Sequence, residues 1–97
     1  MIEFLIKSSD GDWFEFPPGS DPYRPLTIPC QKISGWGDGR IEIENCPIFF
    51  SYEEGGIQVS FEGGGMSESK AAEIAEVVRQ NIEKTSGQFA QLIQIEK

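Results

Sequence analysis

Carboxylates are the most abundant chemically useful groups in this chain. It has 16 Asp and Glu residues against 8 Lys and Arg, and it has no histidine. Histidine is the commonest general base near neutral pH and the commonest transition-metal ligand. Acid–base catalysis would therefore need an Asp or Glu whose pKa is strongly raised in a cleft.

Two short acidic motifs have part of the spacing of known sites. Asp10-Gly11-Asp12 resembles the start of a calcium loop, but the other oxygen ligands at EF-hand spacing are missing. Glu53-Glu54 would offer paired carboxylates, yet the pair precedes Gly55-Gly56 and is expected at the solvated tip of a hairpin. We therefore predict a hairpin turn at each position, and neither a metal site nor a cofactor.

Nucleophilic and phosphate-binding motifs are equally incomplete. Gly63-Gly64-Gly65 lies between a strand and a helix, where phosphate cradles occur, but the GxxxxGK[ST] and GxGxxG patterns are absent. Cys30 and Cys46 belong to no CxxC or Cys/His cluster, so two reduced core thiols are expected. No Ser or Cys has an identifiable base. The sequence predicts no catalytic residues and a protein that is not an enzyme.

The negative charge is concentrated in one region. The net charge is −8, and no basic residue occurs between Arg40 and Lys70. That stretch holds Glu42, Glu44, Glu53, Glu54, Glu62 and Glu68. Such a surface would repel phosphate, so nucleic acid is a disfavoured partner.

Length and hydropathy indicate one domain over residues 1–97, since a chain this short builds a single core. No apolar run exceeds three residues, so no membrane span is predicted. The first residues, Met-Ile-Glu-Phe-Leu-Ile-Lys, lack the pattern of a signal peptide, and we expect a cytoplasmic protein.

The N-terminal third predicts a β-hairpin followed by a proline-rich loop. Apolar residues alternate over residues 2–7, and residues 13–16 read as the returning strand after a turn. Five prolines between Pro17 and Pro29 exclude a central strand and predict an ordered loop. A short strand is expected near residues 30–34.

The rest of the chain predicts a three-stranded meander, a helix and a final strand. Period-two alternation in residues 41–44, 48–52 and 57–62 is typical of an antiparallel sheet with one wet face. Ser67 as N-cap and Gly87 as terminator define a helix of about 19 residues. Residues 89–95 predict a last strand covered on both faces. The fold class is α+β: an antiparallel sheet of five or six strands with one long helix on one face.

The predicted strands determine where the Glu residues of the base-free segment lie. If the aliphatic residues of the meander face the helix, the opposite face carries Glu42, Glu44, Phe49 and Glu62, with Glu53 and Glu54 at one end. Phe49 within an acidic field would suit a basic protein partner. Size and charge fit a small inhibitor or immunity-type protein. The alternative is that the acidity only keeps the domain soluble and that the loop covers Phe49.

The loop offers a different hypothesis. Tyr23, Arg24, Trp36 and Arg40 bring bases and aromatics together, as a site for a small anionic ligand requires. Alternatively, Tyr23 and Trp36 fold back over the core, since large aromatics are usually buried. An unpaired sheet edge would also permit a homodimer.

Overall fold

A six-stranded antiparallel sheet with one helix on one face makes up the described part of the chain. The computed structural model describes residues 2–23, 31–32, 40–53, 55–62 and 65–95. The elements in chain order are β1 (Ile2–Ser8), β2 (Gln31–Lys32), β3 (Arg40–Ile43), β4 (Cys46–Glu53), β5 (Gly56–Phe61), α1 (Glu68–Ser86) and β6 (Ala90–Ile95). The strand order is β2-β3-β4-β5-β1-β6. The predicted α+β class is confirmed.

The meander forms as its alternation predicts. One side chain in two is buried in the core, on one face of the sheet: Ile41, Ile43, Ile48, Phe50, Ile57, Val59 and Phe61. Glu44 and Asn45 connect β3 to β4 with φ angles of 51° and 65°. Two successive positive φ angles define the type I′ geometry that suits the twist of a hairpin. The prediction that Glu44 continues the strand is therefore wrong, because the turn begins at that residue.

Helix α1 has both predicted ends. The Ser67 side chain accepts a hydrogen bond from the Lys70 backbone, and Gly87 terminates the helix with a φ of 72°. Its buried stripe consists of Ala71, Ile74, Ala75, Val78, Asn81 and Ile82. No helix within the described residues is long and apolar enough to cross a bilayer.

The predicted N-terminal hairpin is wrong. Strand β1 pairs with β5 on one side and β6 on the other, and residues 13–16 form no strand. Their alternation is real, since Phe14 is buried while its neighbours are exposed. Their backbone instead bonds to one side chain: Glu15 N–H donates to Gln88 Oε1 (2.8 Å), and Gln88 Nε2 donates to the Trp13 carbonyl (3.1 Å).

The first part of the proline-rich loop is fixed to the helix. Asn81, 6 % exposed, donates through Nδ2 to the carbonyls of Asp21 (3.0 Å) and Pro22 (3.1 Å). The Tyr23 ring stacks on Phe50, with centroids 4.7 Å apart. Residues 24–30 lie outside the described part of the chain, and with them Cys30. The short strand expected near residues 30–34 is β2.

Strand β6 is confirmed, but it is not covered on both faces. It lies at the end of the sheet order, beside β1. Ala90 is buried on the helix side, whereas Ile93 on the other side is 37 % exposed. An edge strand has a neighbour on one side alone, which explains the difference from the prediction.

Candidate functional site

The sheet face opposite α1 is called the open face here. Cross-strand partners in the register share a face, which places the outward residues of five strands together. These positions are Arg40, Glu42, Pro47, Phe49, Ser51, Gln58, Ser60, Glu3, Leu5, Lys7, Gln91, Ile93 and Ile95.

Two predicted acidic residues meet at one end of the open face. Glu42 is half-buried and lies opposite Pro47, and the Glu62 backbone N–H donates to the Pro47 carbonyl (2.9 Å). The two acidic residues are thus two strands apart, roughly 10 Å at normal strand spacing. Glu44 in the adjoining turn is exposed and adds a third carboxylate. We call this region the Glu44 end.

The buried thiol beneath the Glu44 end responds to its charge. Burial raises the pKa of the Cys46 thiol, and the charges of Glu62 and Glu42 raise that pKa further. The thiol donates to the Glu62 carbonyl at 3.0 Å. A thiol that stays protonated is a poor nucleophile, and Cys46 packs in the core.

Glu53 lies at the far end of β4. It is exposed and pairs with Gly56. Strand β4 runs from Cys46 to Glu53, so the predicted acidic set is split between ends about 23 Å apart. Glu54 lies outside the described residues. The second region, around the β4–β5 hairpin, is called the Gly55 end.

The centre of the open face is more apolar than the meander alone predicts. Phe49 is half-buried, and Leu5, Ile93 and Ile95 share its face. Glu3 is 6 % exposed, and its Oε2 accepts from Gln58 Nε2 at 3.3 Å. Sequence reasoning missed these β1 and β6 residues because their place depends on pairing between distant segments.

Of the four residues of the anionic-ligand hypothesis, the structure describes the side chain of Tyr23. Its ring stacks on Phe50, which faces the core. The Arg40 backbone pairs with Phe49 in the register. Arg24 and Trp36 lie outside the described residues.

A cleft that sequence reasoning missed lies at the Gly55 end. It has a volume of about 450 Å³ and is lined by Asp10, Asp12, Trp13, Glu15, Ser86 and Gln88. We call it the Trp13 cleft. Its walls come from the segment after β1 and from the end of α1, which the Ser9 N–H to Phe89 carbonyl bond (3.1 Å) holds together. The one local signal was a large aromatic, Trp13, between acidic residues.

The cleft is acidic and aromatic. The side chains of Asp10, Asp12 and Glu15 are exposed, and the indole of Trp13 packs on the Tyr52 ring with centroids 4.9 Å apart. Within the described residues, no three His, Cys, Asp or Glu side chains lie close enough to hold a metal ion. The arrangement suits recognition of an organic cation.

In comparisons with known proteins, no family model, no curated protein and no solved structure matches this chain.

Proposed function

We propose that this protein is a non-enzymatic interaction protein that presents the acidic side of its sheet to a basic protein partner. The observation that supports it is the fate of the base-free segment. Most of that segment folds into three adjacent strands, and three of its carboxylates, those of Glu42, Glu44 and Glu62, lie together at the Glu44 end.

Two carboxylates on one side of the sheet give a basic partner a favourable place to bind. Glu42 and Glu62 lie two strands apart, roughly 10 Å, so one basic surface could attract both of them. Half-buried Pro47 and Phe49 on the same face add apolar contact area.

The finer proposal is an inhibitor or immunity-type role. A small acidic domain can neutralise a basic nuclease or toxin by covering its substrate-binding surface, and size and charge support this by analogy. Association of this kind is steered by electrostatics, so its rate should fall steeply as salt rises.

The test is affinity capture from host lysate, followed by binding measurements with the purified captured protein. Wild type is compared with Glu42→Gln/Glu62→Gln and with a control of equal net charge, Glu68→Gln/Glu73→Gln, on the exposed side of α1. We expect the first variant to weaken binding about fivefold to tenfold. The control should bind like wild type.

Two results would contradict the proposal. One is a captured partner that binds all three proteins equally, which would make the acidic face irrelevant to recognition. The other is no captured protein while all variants remain folded, which would leave solubility as the role of the charge.

A further inference from the structure

We propose that the Trp13 cleft binds an arginine or lysine side chain presented by a basic protein segment. This inference extends the proposed function by assigning a second contact, and it rests on that function in taking the partner to be a basic protein. The cleft lies at the Gly55 end, away from Glu42 and Glu62.

The indole of Trp13 forms the aromatic wall of the Trp13 cleft. Trp13 is 45 % exposed although its ring packs on that of Tyr52, which does not line the cleft. An exposed indole beside a cleft offers apolar contact area to a ligand. The face of an indole attracts a guanidinium or ammonium group through its quadrupole.

The residues that line the rest of the Trp13 cleft favour a positively charged ligand. Three of the six lining residues are Asp or Glu, and none of the six is basic. An arginine side chain satisfies both parts of the cleft, since its aliphatic stem can lie on the aromatic wall while its head contacts carboxylates. A neutral or acidic side chain would leave the carboxylates without a counter-charge.

The cleft is also held in shape before any ligand arrives. Ser8 Oγ donates to the Asp12 carbonyl (2.6 Å), and Asp12 N–H donates to Asp10 Oδ1 (3.1 Å). Gln88 fixes the Trp13 carbonyl and the Glu15 N–H, as described above. A preformed site loses less conformational entropy on binding than a flexible one. Its volume of about 450 Å³ lies within the range of ligand clefts.

The test is an NMR titration of ¹⁵N-labelled protein with two capped, otherwise uncharged peptides, one with a central arginine and one with citrulline. Citrulline keeps the shape of arginine and removes its charge. We expect the arginine peptide to shift the Trp13 indole N–H saturably, with the citrulline peptide at least about fivefold weaker. Trp13→Phe identifies the Trp13 indole signal.

A matched pair of variants locates the binding. Asp12→Asn/Glu15→Gln removes two charges from the cleft, whereas Glu42→Gln/Glu62→Gln removes two from the open face. We expect the first to weaken the arginine peptide about tenfold and the second to leave it within about twofold. Asp10 is kept in both because its carboxylate fixes the turn.

Several outcomes would overturn the inference: equal binding of both peptides, no Trp13 shift, or equal affinity in the cleft variant and wild type. A Trp13 shift that follows protein concentration without peptide would assign the cleft to a second copy instead. A captured partner that is lost with the open-face variant but kept with the cleft variant would leave the proposed function standing and remove this inference alone.

Discussion

The two ends of the sheet are both acidic, but they differ in how they are built. At the Glu44 end, the carboxylates belong to one continuous segment, and the turn residues have no exposed aromatic beside them in the described structure. At the Gly55 end, the carboxylates of the Trp13 cleft lie beside exposed aromatics, and its walls come from segments more than 70 residues apart. Charge alone can be a local property of a sequence, whereas a shaped site requires long-range folding.

The largest effect on stability is expected from substitution of Phe14, a core residue between the cleft residues Trp13 and Glu15 in the sequence. Phe14 is fully buried and its ring stacks on Phe16, so Phe14→Ala removes core volume directly behind the cleft. We expect a loss of about 3–5 kcal/mol in the free energy of unfolding, measured by urea denaturation. Phe89→Ala, at a side chain 79 % exposed, should change it by less than about 0.5 kcal/mol. A loss for Phe14→Ala that is no larger than the loss for Phe89→Ala would mean that Phe14 is not part of the core.

The next largest effect is expected at Gln88, whose side chain bonds to the backbone of residues 13–15 in place of a neighbouring strand. Gln88→Ala removes both hydrogen bonds to the Trp13–Glu15 backbone. We expect a loss of about 1–2 kcal/mol in unfolding free energy and a red shift of Trp13 fluorescence as its backbone loosens. Gln91→Ala, at an exposed position of β6, is the control. Unchanged fluorescence in Gln88→Ala would show that the cleft keeps its shape without this residue.

A smaller effect of opposite sign is expected at the Glu44 end. Glu44 has a φ of 51°, a conformation that asparagine adopts more readily than other non-glycine residues. Glu44→Asn should stabilise the protein by about 0.5 kcal/mol or more, measured by denaturation at high salt to reduce charge effects. Glu44→Gln removes the same charge without favouring this φ. If the two variants are equally stable, charge and not backbone geometry explains the gain.

The smallest effect concerns the helix beside the Gly55 end. A hydrogen bond from Arg79 lowers the pKa of Glu76. Because the folded pKa is depressed, the stabilisation is present above the unfolded value of about 4.5 and is lost as pH falls through the folded pKa. Glu76 is 43 % exposed, so we expect Glu76→Gln to cost less than about 1 kcal/mol at pH 7. The cost should shrink as the pH falls below about 4.5 in acid denaturation curves, and a cost that does not change with pH would contradict the assignment.

The sequence predicted the elements whose signals are local. Alternation defined β3 to β5, and Ser67 and Gly87 defined both ends of α1, because each signal acts within a few residues. The alternation of residues 13–16 predicted a hairpin strand. No local pattern indicates that the side chain of Gln88, more than 70 residues away, bonds to the backbone of this segment. The Trp13 cleft was missed for the same reason, and Glu44 was misplaced because a type I′ turn without glycine gives a weak signal.

Two ion-paired residues of α1, Arg79 and Glu83, also bond to the backbone at the outer edge of β6. Glu83 Oε2 accepts from the Ala90 N–H and Arg79 Nη1 donates to the Ala90 carbonyl, both at 3.0 Å. The first backbone groups that β6 would offer to another strand are therefore already occupied. Residues 89–95 contain no charge and no proline, a composition prone to templated aggregation when it lies at an open edge. An incoming chain would have to displace these two charge-assisted bonds before it could pair along the whole of β6.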